Sequence, residues 1–153
     1  MRVLIQRVSR AAVRIEGQIH SEISRGLMLL VGIESTDTSE NVAAMVRKVT
    51  GLRIFDDAAG KTNLSCEDVG GEYLCVSQFT LCADLSKGKR PGFENAMKSP
   101  GSRALFDDFC AALARATGRP VKMGVFGASM KVEIHNEGPA TYWLTTASAA
   151  PDS

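Results

Sequence analysis

Two short stretches of this sequence place polar and conformationally special residues where packing does not ask for them. The first is Ser77-Gln78-Phe79-Thr80, inside the otherwise apolar run EYLCVSQFTLCA. Read as a half-buried strand, it sets Gln78 and Thr80 on one face and Ser77 and Phe79 on the other, because strand side chains alternate. An amide and a hydroxyl facing the same way can position a polar substrate, although an edge strand with both side chains in water gives the same pattern. The second stretch is Asn136-Glu137-Gly138-Pro139-Ala140-Thr141. It joins the least restricted backbone residue to the one that most readily accepts a cis peptide bond, so it can hold main-chain carbonyls at a fixed angle. An ordinary turn is the commoner use of Gly-Pro.

Other chemistries find little support. The two histidines, His20 and His135, have no Ser or Cys at a useful spacing and read as solvent-facing or hydrogen-bonded strand residues. The four cysteines, at 66, 75, 82 and 110, match no CxxC-type metal pattern, and no HExxH-type pair occurs. Neither a metal nor a cofactor is therefore expected. Cys75 and Cys82 read as small reduced hydrophobes, and a thiol hydrolase built on either lacks a base. Asp56-Asp57 reads as turn chemistry. No apolar run approaches the roughly 20 residues of a membrane-crossing helix, and arginines interrupt the N-terminal MRVLIQRVSR. A cytoplasmic protein with no membrane partner is the expectation.

The elements that must position these residues come from hydrophobic spacing. The 153 residues fit one domain over 1–145 with a short polar tail at 146–153. Alternation through VLIQRV and AAVRIEG, with Gly17-Gln18 between alternating runs, predicts a hairpin, and GLMLLVGI predicts a fully buried strand. Val42, Met45, Val46 and Val49 recur at helical spacing behind a Thr38 or Ser39 cap and before Gly51. Leu105, Phe106, Phe109 and Leu113 mark a second helix, with Ser102 near its cap and Gly118 as its stop. Short strands are expected around Phe55 and Asn63-Leu64. EYLCVSQFTLCA is expected as one strand, residues 85–101 as a long loop, and MKVEIHNEGPATYWLTT as two strands joined by a turn at Asn136 to Pro139, a closing hairpin or crossover. Seven or more strands against two helices predict an α+β domain, a curved mixed sheet or partial barrel covered by both helices.

Charge is nearly balanced, at +1 overall, yet unevenly spread. Residues 1–14 hold four Arg and no acid, and residues 85–103 hold five basic residues against Glu94. These stretches carry +8 together and leave −7 elsewhere, enough for a local phosphate-binding face.

SQFTL at 77–81 and NEGPAT at 136–141 occur together with LIQRV at 4–8, GLRIFDDAAGKTNLS at 51–65, RPGF at 90–93 and TYWL at 141–144. In this order and spacing the chain resembles the D-aminoacyl-tRNA deacylase family, in register from residue 1 to about 145. The resemblance implies a homodimer that hydrolyses the ester between a D-amino acid, or glycine, and the 3′-terminal adenosine of tRNA. It implies that Ser77, Gln78, Phe79 and Thr80 line the pocket at the ester, Phe79 positioning the adenosine and main-chain N–H groups holding the oxyanion. It also implies that Gly138-Pro139 is cis and enters the partner's pocket, where its main chain excludes the side chain of an L-amino acid. Arg7, Asn136 and Thr141 support that segment, Arg7 by bracing it, although a solvent-facing strand arginine is an alternative.

Two mechanisms stay open. Thr80 is a nucleophile in one; in the other the protein positions the ester while the 2′-OH of the terminal ribose helps to activate water. The absence of a recognisable base for Thr80 favours the second. A binding module of the same fold without chemistry is the alternative function. The chain departs from the family pattern at Thr62, where many members carry Met before the Asn, which bears on affinity, and at Gly92 in place of a common serine, which is expected to loosen that segment. Animal relatives with altered tRNA specificity replace the SQFTL-type motif, so its retention here implies, by the resemblance, the D-specific type.

Overall fold

The computed structural model describes residues 1–146, so the tail from Ala147 to Ser153 lies outside the described residues. Strands β1 (Arg2–Ile15), β2 (Gln18–Ile23) and β3 (Gly26–Gly32) precede helix α1 (Ser39–Thr50), followed by the short β4 (Phe55–Asp56) and β5 (Thr62–Leu64). Then come β6 (Glu72–Ser77), a 3-10 turn (Phe79–Cys82), helix α2 (Gly101–Thr117), β7 (Val121–Met123) and β8 (Lys131–Thr145). The main sheet runs β2-β1-β3-β6-β7, with β8 on the other side of β1. β1 is antiparallel to β2, β3 and β8, whereas β3–β6 and β6–β7 are parallel. This is the α+β partial barrel with two helices that the sequence predicts.

Alternation on β3 and β6 explains the continuous apolar runs. Leu27, Leu29 and Val31 of β3 and Tyr73 and Cys75 of β6 face α1 and α2, packing with Met45, Val49, Phe106 and Phe109. Their neighbours Met28, Leu74 and Val76 face the inside of the curl with Val8, Ala11, Val13 and Ile23. A strand buried on both faces has no polar side to show. The helix faces are those the spacing predicts: Val42, Met45, Val46 and Val49 are buried on α1, and Phe106, Phe109 and Leu113 on α2. Thr38 caps α1, and Gly118, at φ 66°, ends α2 in the left-handed conformation that favours glycine.

Two expectations fail in informative ways. EYLCVSQFTLCA is not one strand. β6 stops at Ser77, the Gln78 N–H makes a last bond to Val31 O at 2.8 Å, and Leu81 N–H then turns back to Gln78 O at 3.2 Å. Gly32 lets the turn lie flat on β3, since a Cβ there would approach Leu81 Cβ to 3.1 Å and Gln78 O to 3.2 Å. The alternating strand faces expected for Ser77 to Thr80 therefore do not exist. Nor does the closing stretch form a hairpin. β8 is one strand paired with β1 from Arg14↔Lys131 to Arg2↔Thr145, and Glu137 to Ala140 leave the ladder as a bulge within it. β1 is 14 residues long, which gives β8 a partner past the interruption.

The start of β1 is fastened to the 3-10 turn by charge. The Met1 α-ammonium contacts Glu34 at 2.8 Å and also Asp37, while Arg2 Nε contacts Glu34 at 2.9 Å and Arg2 Nη1 donates to Leu81 O at 3.0 Å. Thr146 closes the same corner, its N–H bonding Met1 O at 3.0 Å. Burial pushes the Glu34 carboxyl up, but the hydrogen bond and charge of the α-ammonium, with Arg2, more than offset this and hold it below the usual carboxylate value.

A lowered folded pKa means that the contribution of Glu34 is present above the unfolded pKa and is lost as pH falls through the folded value. Glu34→Gln should therefore lower stability by about 1 kcal/mol at neutral pH. Urea midpoints of the two proteins should converge near pH 2, a merging set by protonation. Gly26→Ala should be more severe, because a Cβ there would lie 1.9 Å from the Glu72 carbonyl oxygen across the β3–β6 ladder. A loss of at least about 2 kcal/mol in urea unfolding is the expected outcome.

Candidate functional site

The 3-10 turn at the end of β6 builds the first part of the site. Ser77 is half-buried at the strand end and paired with Val31. Gln78 extends its amide to the Thr80 hydroxyl in a short hydrogen bond, and the Thr80 side chain is exposed. Turn geometry leaves the N–H groups of Phe79 and Thr80 without a partner inside the turn. Two adjacent N–H groups and a held hydroxyl can stabilise a developing oxyanion and orient a water.

Phe79 is 54% exposed, a large cost for an aromatic ring with no binding role. It meets Phe93 edge-on, with ring centroids 5.1 Å apart. The two rings open a cleft of about 320 Å³ continued by Met97, Lys98, Ser102 and Phe126. Its walls come from the turn, the 93–99 segment, the start of α2 and the loop after β7. An apolar cleft of this size with polar groups at one end suits a planar heterocycle.

The second stretch forms a different structure. Gln6 pairs with Thr141 and Val8 with Asn136, so Arg7 alone on β1 stands opposite Glu137, Gly138, Pro139 and Ala140. This is a wide bulge whose extra residues must leave the sheet. Arg7 holds its base: Nε donates to Glu137 O at 3.1 Å and Nη1 to Ile54 O at 2.7 Å. Asn136 and Thr141 close it from below. Asn136 Oδ1 accepts from Ala140 N–H at 3.0 Å, and Thr141 Oγ1 accepts from Asn136 Nδ2 at 2.9 Å and from Gln6 Nε2 at 3.3 Å. Gly138 has φ +128°, and a Cβ there would lie 2.7 Å from Arg7 Nη2, so only glycine fits. The Gly138–Pro139 bond is cis, and both residues are exposed.

The two stretches do not meet within one chain. The bulge lies opposite Arg7, which pairs with Leu27, whereas Ser77 pairs with Val31. Four residues along β3 and three strand spacings across the sheet separate them by on the order of 20 Å. Gly138 instead lines a separate cleft of about 610 Å³ with Arg7, Ser9, Arg25, Phe55 and Asp56.

The remaining candidates take supporting or remote places. His20 and His135 are exposed on strands. All four cysteines are buried and free. Burial pushes the Cys66 thiol up to about 12 and raises Cys75 and Cys82 as well, which keeps them protonated and unreactive. Among the described residues, no cluster of three His, Cys, Asp or Glu that could hold a metal ion occurs. Asp57 accepts from Ala59 and Lys61 N–H groups in the β4–β5 turn. Thr62 is exposed there and donates to Asp56 at 3.0 Å, while Gly92 exchanges two backbone bonds with Asp84, at 2.8 and 2.9 Å.

Sequence reasoning missed Met97, Ser102 and Phe126 as cleft residues. Only Phe126 carries a signal, an aromatic set in the glycine-rich MGVFGAS. Of the two basic stretches, the first is occupied internally: Arg2, Arg10 and Arg14 are ion-paired and Arg7 grips the bulge.

Comparison with known proteins bears on the family and the fold. The family model described as D-Tyr-tRNA(Tyr) deacylase matches residues 4–145. A protein named D-aminoacyl-tRNA deacylase from Chromobacterium violaceum is 53% identical over 144 residues, covering 94% of this chain and 96% of the relative. A solved structure titled c-Myc DNA Unwinding Element Binding Protein superposes with TM-score 0.92 at 41% identity, covering 96% of this chain and 99% of that one. Another, titled as a probable eukaryotic D-amino acid tRNA deacylase, shares the fold at TM-score 0.82 and 20% identity, over 94% and 97% of the two chains. No helix among the described residues is long and apolar enough to cross a membrane. On the family match and the relatives of similar length, the chain belongs to the D-Tyr-tRNA(Tyr) deacylase family.

Proposed function

We propose that the protein is an editing hydrolase of the cytoplasm that cleaves the ester joining a D-amino acid or glycine to the 3′ end of tRNA and spares L-aminoacyl-tRNA. Deacylation of D-aminoacyl-tRNA is the activity that the family and the C. violaceum relative are named for. The observation that carries the reading is the pairing of exposed Phe79 with the two open N–H groups of its own turn. The terminal adenine packs against Phe79 and Phe93, which brings the neighbouring ester carbonyl to the N–H groups of Phe79 and Thr80. Water attacks that carbonyl, the oxyanion is held by the main chain, and collapse releases the free amino acid and the ribose 3′-hydroxyl. With the thiols buried and the histidines on exposed strands, the ribose 2′-OH serves as the group that assists water. Thr80, already bound to Gln78, orients that water rather than attacking the ester.

The same reading makes the working unit a homodimer. β8 pairs only with β1 among the described strands, and its outer edge exposes Tyr142 and Trp143, at 36% and 48%. A long unpaired edge with exposed aromatics calls for a cover. A partner protomer would bring its Gly138–Pro139 bulge to the ester, a distance one chain cannot span. There a rigid main chain excludes an L side chain by contact and leaves the D side chain unexamined, so breadth and handedness are compatible. Glycine has no side chain to exclude. A second reading, a nucleic-acid-binding module without chemistry, draws on the printed title of the 41%-identical structure.

Purified protein should release D-tyrosine from D-tyrosyl-tRNA and leave L-tyrosyl-tRNA at its spontaneous rate. Binding of tRNA without release of either amino acid would leave the binding-module reading. Thr80→Ala should lower kcat by about 10- to 100-fold if the hydroxyl only orients water, against on the order of 10⁶-fold for a lost nucleophile. A tRNA ending in 2′-deoxyadenosine should lose at least about 100-fold with the wild-type enzyme, the scale of a missing acid–base group.

A further inference from the structure

The segment between the 3-10 turn and α2 carries a cluster of cations with no internal use. Asp84 and Gly92 exchange backbone bonds, closing the residues between them into a protruding loop with Lys87, Lys89 and Arg90 near its tip. All three are exposed, as are Lys98 and Arg103 beyond the loop. None of the five lies within ion-pair distance of a carboxylate among the described residues, in contrast to Arg2, Arg10, Arg14 and Lys122. Two acids lie at the base of the loop: Asp84 accepts from the Ser86 N–H at 2.9 Å, and the exposed Glu94 holds its carboxylate against Gly92.

Position gives the cluster a role. Phe93 follows directly on Gly92, and its ring packs on Phe79, so the base of the loop is the wall of the aromatic cleft. Lys98 lines that same cleft. A nucleic acid whose last base sits against Phe79 must run its preceding nucleotides outward past this wall.

We propose that the 84–92 loop is a phosphate track for the single-stranded 3′ end of the tRNA, with Lys87, Lys89 and Arg90 contacting the phosphodiesters just before the terminal adenosine. The inference rests on the deacylase reading and adds to it where the polynucleotide lies. Exposed Lys and Arg side chains on a loop read charge and spacing, so the track is indifferent to base sequence. Binding to it releases counterions, with a salt slope of about −0.7 per phosphate on a single strand.

The test compares wild-type protein with the triple variant Lys87→Ala/Lys89→Ala/Arg90→Ala on two substrates, D-tyrosyl-tRNA and 3′-O-D-tyrosyl-adenosine, which has no phosphate. On the tRNA, kcat/KM of the variant should fall on the order of 10- to 100-fold at 0.1 M salt, and the slope of log(kcat/KM) against log[salt] should flatten by about 2. On the adenosine ester the two proteins should be equal within about twofold, which also shows that the variant is folded with an intact cleft. Equal activity and equal salt slope on tRNA would overturn the phosphate track and leave the deacylase reading in place. Parallel losses on both substrates would overturn it in favour of a structural role for the loop. Wild-type protein inactive on both would remove the deacylase reading, and the track with it.

Discussion

Arg7 stands opposite four residues of β8, and much of the molecule is arranged around that mismatch. An antiparallel ladder can accommodate surplus residues on one strand only by expelling them. Because β1 and β8 pair on both sides of the interruption, the expelled residues are anchored at both ends, and Arg7, Asn136 and Thr141 satisfy the polar groups thus displaced. The result is a rigid main-chain projection on an exposed sheet edge. Its Gly138 cannot accept a side chain without displacing the arginine that holds it.

The proposed ester site follows a different logic. At Ser77 the sheet gives way to a tight turn, which frees two N–H groups that a continued strand would have bonded. Gly32 makes the change possible by letting the turn lie against β3, and Arg2 holds its far end through the Leu81 carbonyl. No thiol or imidazole is presented at this place, since all four cysteines, Cys82 of the turn included, are buried and the histidines lie on exposed strands. What remains is a set of donors, a hydroxyl and an aromatic surface, suited to a substrate that contributes part of its own chemistry.

Much of the fold was legible because hydrophobic spacing reports burial directly. GLMLLVGI reads as doubly buried and is so, and the faces of both helices follow from Val42 to Val49 and from Phe106 to Leu113. The failures lie at the two stretches proposed to act on the substrate. Alternation through SQFT looks like a strand because the rule sees side-chain types, whereas the turn depends on Gly32, distant in sequence and adjacent in space. NEGPAT carries the local signature of a turn, and only its long-range pairing with β1 makes it a bulge. Both stretches stood out in the sequence through residues that did not suit their surroundings, but their shapes were not readable there. The charge asymmetry was half legible: counting residues cannot tell that the arginines of β1 are already engaged while the lysines of the 84–92 loop are not.

The central claim is that the turn at Phe79 and the bulge at Gly138–Pro139 serve one substrate from two protomers. It is tested most directly by a crystal structure with a non-hydrolysable analogue, 3′-deoxy-3′-(D-tyrosylamino)adenosine. The account predicts adenine against Phe79 and Phe93, the amide carbonyl at the N–H groups of Phe79 and Thr80, and a partner bulge in contact with the amino-acid Cα, within about 4 Å. A ligand enclosed by one protomer alone, or bound in the cleft of Arg25 and Phe55, would contradict it.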